Sequence, residues 1–143
     1  MTNTIQSIQC PLTYKLEGSD DPAVFIQGVG LHGDGWLPQT QKLSAYFQCL
    51  TFDNRGIGQS QPAGTEITIE QMAEDTLAIM DAAGITAAHI VGHSLGGAVA
   101  LQLALMARPK VTSLSLLCTS SRGAHATSAS PTRSWPSPRP WAW

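Results

Sequence analysis

Two glycine-rich stretches hold the residues of this chain that could do chemistry. The first is Gly92-His93-Ser94-Leu95-Gly96-Gly97, a G-x-S-x-G pattern with one further glycine. A serine hydroxyl is a weak nucleophile until it is presented at a sharp turn beside groups that stabilise a developing oxyanion. Glycines at 92 and 96 remove side chains that would collide across such a turn. The second stretch is Gly28-Val29-Gly30-Leu31-His32-Gly33, which matches G-x-G-x-x-G and has Asp53 twenty residues beyond its last glycine. By pattern alone this is a dinucleotide fingerprint, in which glycines admit a pyrophosphate and the acid binds a ribose.

The elements around each motif separate these readings. The fingerprint needs a helix that begins within its glycines, because the helix N-terminus binds the pyrophosphate. Here that helix would contain Gly35 and Pro38, costing about 1 and about 3 kcal/mol in a helix interior. The helix is therefore expected no earlier than Leu37, and 28–36 reads as a loop. Dinucleotide binding through Gly28, Gly30, Gly33 and Asp53 is the weaker alternative.

Ser94 fares better. AAHIVGH at 87–93 reads as a strand, and Leu95 to Arg108 reads as a helix with so few polar positions that it should be buried. A serine at a strand-to-helix turn is the context a nucleophile elbow requires.

The other elements follow from pattern. Residues 6–17 read as one or two short strands, with Pro11 confining them to an edge or a bend. AVFIQ at 23–27, FQCLTFD at 47–53 and VTSLSLLC at 111–118 read as strands, and 37–47 as a helix. Thr68 to Ala83 reads as a helix opened by a Thr68/Gln71 capping box and closed by Gly84. This alternation predicts an α/β fold, a mainly parallel sheet with helices on both faces.

Composition sets the remaining limits. The chain has 143 residues, 43% hydrophobic and 13% charged, which suits one domain with a packed core. Net charge is −2, and the three arginines after residue 119 (Arg122, Arg133, Arg139) are too sparse for a nucleic-acid surface. Cys10, Cys49 and Cys118 show no metal spacing, and their odd number suits a reducing compartment. No basic-then-apolar leader and no run of ~18 apolar residues is found. The expectation is a cytoplasmic protein without a membrane span, metal or cofactor. Its oligomeric state is not legible. Residues 120–143 contain four prolines and six serines but no Leu, Ile, Val, Met or Phe. They read as a disordered or out-of-frame tail after a domain at 1–119.

GHSLGG at 92–97, FDNRGIGQS at 52–60, and the strand, glycine loop and Trp36 before them resemble the α/β-hydrolase fold family over about residues 8–119. The resemblance implies the N-terminal part of such a domain, an incomplete fold. It also implies hydrolysis of a carboxylic ester or related acyl bond in a small-molecule substrate. Ser94 would be the nucleophile. The backbone N–H groups of Val29 and Leu95 would form the oxyanion hole, with Gly30 a nearby candidate donor. Gln27-Gly28 stands where many relatives have His-Gly. Gly92, Gly96 and Gly97 would shape the elbow, and Gly28, Gly30, His32 and His93 would lie at the pocket. Asp53 and Arg55 would brace the loop after the fourth strand, and His89 would be a core residue.

In that family the serine is followed in the chain by an acid and then a histidine. Beyond Ser94 this sequence has no Asp or Glu, the last acid being Asp81, and its only histidine there is His125. No triad acid or base is identified. The chain is therefore expected to be inactive or nearly so, a remnant, or dependent on a partner chain.

Overall fold

The computed structural model describes residues 2–7, 10–61 and 67–119. The tail read at 120–143 lies outside them. Six strands form one sheet: β1 (Thr2–Ser7), β2 (Cys10–Glu17), β3 (Asp21–Ile26), β4 (Phe47–Phe52), β5 (Ala88–His93) and β6 (Val111–Leu117). Their spatial order is β1-β2-β4-β3-β5-β6. The β4-β3-β5-β6 half is parallel, while β1 and β2 join it as antiparallel strands. The helices are α1 (Leu37–Leu43), α2 (Ile69–Ala82) and α3 (Leu95–Met106). The α/β expectation holds, with this antiparallel margin added to it.

Pro11 sits at a local edge, where β2 is paired on one side only. It lies opposite Gln6 inside β2, which has neighbours on both sides, but pairing with β4 begins only at Tyr14. Its missing N–H therefore falls where β4 does not reach. Strand β1 starts earlier than the sequence suggests, because TNTIQS is mostly exposed and lacks a clean apolar alternation.

Helix α2 begins as expected. Thr68 Oγ1 accepts from Gln71 N–H and Gln71 Oε1 accepts from Thr68 N–H, closing the capping box. Helix α3 is less buried than its composition implies. Gly96, Gly97, Val99, Ala100 and Leu103 are buried, whereas Leu105 is 82% exposed. One stripe of the helix packs on the sheet and α2, and its remaining apolar positions face outward. Leu116 and Leu117 of β6, the outermost strand among the described residues, are also exposed.

The main core joins Leu12, Val24, Ile26, Leu50 and Ile90 of the strands to Ile79 of α2 on one face of the sheet, and a smaller cluster of Ala23, Phe25, Trp36 and Cys49 lies on the other. Cys10 is buried in the first cluster and Cys49 in the second, and Cys118 is exposed. Burial pushes both interior thiols above the ordinary value of 9.0. A folded-state pKa above the unfolded one means that this stabilisation is complete below about pH 9 and is lost as pH rises through the folded values. At pH 8 a disulfide-exchange reagent is expected to titrate one thiol rapidly in the native protein and three in denaturant. Three rapid thiols in the native protein would contradict this burial.

Candidate active site

Ser94 follows β5 directly and occupies the N-cap position of α3. An N-cap serine ordinarily has extended backbone angles, and its hydroxyl accepts an N–H from the first helical turn. Ser94 does neither. Its φ and ψ are 54° and −116°, and its side chain makes no capping bond. A non-glycine residue held at such angles costs on the order of 1–3 kcal/mol. The strained turn is held by Ser94 N–H donating to Leu117 O at 2.9 Å and Gly97 N–H donating to Ser94 O at 3.0 Å. Ser94 is exposed at the C-terminal end of the parallel strands, where ligands of open α/β sheets bind.

The glycines flanking Ser94 make close approaches. A Cβ on Gly92 would run into the backbone of Gly96, and one on Gly96 would run into Ile26 O. The first turn of α3 therefore packs directly on the end of β3. Gly97 faces the side chain of Thr119.

The glycine loop meets this turn. A Cβ on Gly28 would lie 3.2 Å from Ser94 Cβ and 3.3 Å from His93 Nδ1. Gly28 N–H donates to Gln27 Oε1 at 3.3 Å, and Leu31 N–H donates to Gly28 O at 3.4 Å. Val29 and Gly30 N–H donate no hydrogen bond among the described residues, and Gly30 has a positive φ of 72°. Leu95 N–H, at the first helical position, has no intrahelical acceptor. Backbone donors without an acceptor among the described residues thus occur on the loop after Gly28 and at the elbow.

The histidines divide. His93 stands edge-on to Trp36, with ring centroids 6.4 Å apart, beside Gly28. His89 meets Ser113 Oγ at 2.7 Å and packs against Phe47. His32, expected at the serine pocket, instead sits 3.6 Å from Asp53 and is largely exposed. Together with Lys15 and Gly58 it lines a separate cleft of about 220 Å³ that does not include Ser94. The cause is local. Gly33 N–H donates to Asp53 Oδ1 at 2.8 Å, which draws the end of the loop toward β4.

The same contact bears on the dinucleotide alternative. Asp53 Oδ2 accepts Gln59 N–H at 3.3 Å, so both carboxylate oxygens are engaged within the protein. The glycines lead into a short 3-10 turn, Gly33–Trp36, and α1 begins at Leu37 with Pro38 in its first turn. No α-helix begins within the glycines to meet a pyrophosphate.

Three residues that hold the site together were not singled out in the sequence. Asp75 of α2 forms a two-point ion pair with Arg55, at 2.6 and 2.7 Å, and also accepts Ser7 Oγ at 2.6 Å. Its carboxylate raises the Arg55 guanidinium above its ordinary value, mainly through the side-chain hydrogen bond. Ser60, fully buried, accepts Thr13 N–H on its hydroxyl. Asn54 donates through Nδ2 to Gln27 O at 3.0 Å.

The profile of the α/β hydrolase fold matches residues 21–141, most of the chain. The chain belongs to the α/β-hydrolase fold family. The match runs past residue 119, where the resemblance read from motifs stops. Over 106 residues the chain is 35% identical to RutD of Azorhizobium caulinodans, provisionally named a carbamate hydrolase, covering 74% of this chain and 40% of that protein. A hydrolase from Pseudomonas aeruginosa superposes with a TM-score of 0.83 at 30% identity, over 87% of this chain and 48% of its own. An esterase from Thermogutta terrifontis gives 0.82 at 26% identity, over 88% and 48%. This member of the α/β-hydrolase family therefore spans less than half the length of each of these relatives. No helix among its described residues is long and apolar enough to cross a membrane.

Proposed function

We propose that Ser94 is the nucleophile of an esterase-like acyl transfer, with Leu95 N–H and Val29 N–H as oxyanion donors. The observation that carries this reading is the backbone of Ser94. A residue type that ordinarily caps a helix is held at φ 54°, exposed and with its hydroxyl uncapped. Such strain at the mouth of a parallel sheet fits a nucleophile held ready for attack.

The hydroxyl would add to the carbonyl carbon of a small carboxylic ester or related acyl group, giving its proton to solvent water as the carbonyl π bond opens to the oxyanion; collapse would expel the alcohol, and a second water would release the acid from the serine ester. Each preorganised donor to that oxyanion is worth about 3–4 kcal/mol. Gly28 N–H is engaged by Gln27 Oε1, which leaves Val29 N–H, with Gly30 N–H next to it, as the loop's donor. The esterase relative supports the substrate class.

Proton removal is the weak step. The sequence beyond Ser94 carries no acid, and His32 is paired with Asp53 in a different cleft. A serine site without its base retains roughly 10³–10⁴-fold acceleration over water from binding and the oxyanion hole. The chain alone is therefore expected to hydrolyse short-chain nitrophenyl esters slowly, with the rate falling to background in Ser94→Ala. Equal rates for the two proteins would remove the reading. The exposed Leu105, Leu116 and Leu117 margin favours a second reading, in which a partner chain completes the site. Turnover that appears only with a polypeptide supplying an acid and a histidine would select it.

A further inference from the structure

We infer that Asn54 is a positioning residue for this site, holding the Gln27–Gly28 hinge of the glycine loop against the serine turn. The inference rests on the reading of Ser94 as nucleophile. Asn54 and Gln27 are 3% and 5% exposed. Asn54 Nδ2 donates to Gln27 O at 3.0 Å. That carbonyl also lies on the first turn of α3, since a Cβ on Gly96 would fall 2.7 Å from it. One side-chain amide therefore fixes the peptide that joins β3 to the loop, at the point where β3 touches the elbow.

The clamp continues in both directions. Gln27 returns its own Oε1 to Gly28 N–H, so the two residues before Val29 are each held by an amide group. On the other side Asn54 O accepts Ile57 N–H at 2.9 Å, and the next residue, Arg55, is locked to Asp75 of α2. The loop donors are thus referenced to α2 through Asn54 as well as to β3 through the chain. An N–H misplaced by about 1 Å can cost on the order of 10²-fold in rate, so a clamp at this hinge bears on the chemistry.

Asn54 Oδ1 is buried and has no partner among the described residues. A buried acceptor left unsatisfied forfeits its hydration with nothing in return. A side chain that merely filled space here would be better apolar. The donor to Gln27 O is what the amide contributes.

The test compares wild type with Asn54→Leu, which keeps the branched side-chain skeleton and removes the donor, and with Asn54→Ala should the bulkier leucine not be accommodated. Amide hydrogen exchange and fluorophosphonate labelling of Ser94, resolved into kinact and KI, are read on each. Exchange over residues 27–31 is expected to quicken about tenfold while α2 stays protected. The value of kinact is expected to fall about tenfold, with KI nearly unchanged. Unchanged exchange over 27–31, or faster exchange there matched by an equal rise across α2, would overturn the proposal. If wild type itself is not labelled at Ser94, the nucleophile reading fails, and the exchange comparison still decides whether Asn54 holds the loop.

Discussion

Asp75→Ala is expected to destabilise the protein by about 3–5 kcal/mol, because it leaves a buried guanidinium without its counter-charge. The Arg55 and Asp75 side chains are 4% and 2% exposed. Three hydrogen bonds converge on this carboxylate, two from Arg55 and one from Ser7. The pair ties α2 to the loop after β4 and to the end of β1. A loss of this size is a large fraction of the ordinary stability of a domain, about 5–15 kcal/mol. Urea unfolding followed by far-ultraviolet circular dichroism measures it. The paired replacement Arg55→Met with Asp75→Leu should recover most of the loss, since it removes both charges together. A cost below about 1 kcal/mol for Asp75→Ala would mean that the guanidinium finds water or another partner.

The second large effect concerns the strained serine. Glycine adopts a positive φ without a Cβ penalty, so Ser94→Gly should relieve the turn. Part of the relief is offset by the greater freedom of glycine in the unfolded chain. The net expectation is a gain of roughly 1 kcal/mol for Ser94→Gly and no gain for Ser94→Ala, which keeps the Cβ. Both variants lose any reaction that needs the hydroxyl. Thermal unfolding of the three proteins side by side measures the difference. A loss of stability in Ser94→Gly would show that the turn stores no strain.

Much of this arrangement was legible in the sequence because its signals are local. The capping box of α2 needs only Thr68 and Gln71. The serine turn needs a strand, two glycines and a helix within a dozen residues. Gly35 and Pro38 were enough to place the start of α1 at Leu37. What escaped is set by contacts between distant segments. The antiparallel placement of β2 beside β4 depends on registers such as Tyr14 opposite Phe52, for which no local pattern exists. Strand β1 has Ile5 as its one apolar residue and no periodicity to read. His32 looks available to the serine in sequence, and it is the Gly33 to Asp53 hydrogen bond that turns it away. The outward Leu105 could not be separated from the buried Leu103, because an almost wholly apolar helix does not mark the face that packs.

Asn54 illustrates the same limit from the other side. It stands between two charged residues in DNRG, and its own amide reaches Gln27, twenty-seven positions earlier. Only the fold shows that the glycine loop and the loop after β4 share this contact. The oxyanion donors proposed for the loop thus depend on a residue that offers no chemistry of its own.

The most direct measurement is site-mapped labelling of the purified chain with a fluorophosphonate, read by intact mass and peptide sequencing. Nucleophilic Ser94 predicts a single adduct on the peptide containing Gly92 to Gly97, formed faster than on any other hydroxyl and absent from Ser94→Ala. No adduct on the folded chain, or an adduct that persists in Ser94→Ala, would contradict the account.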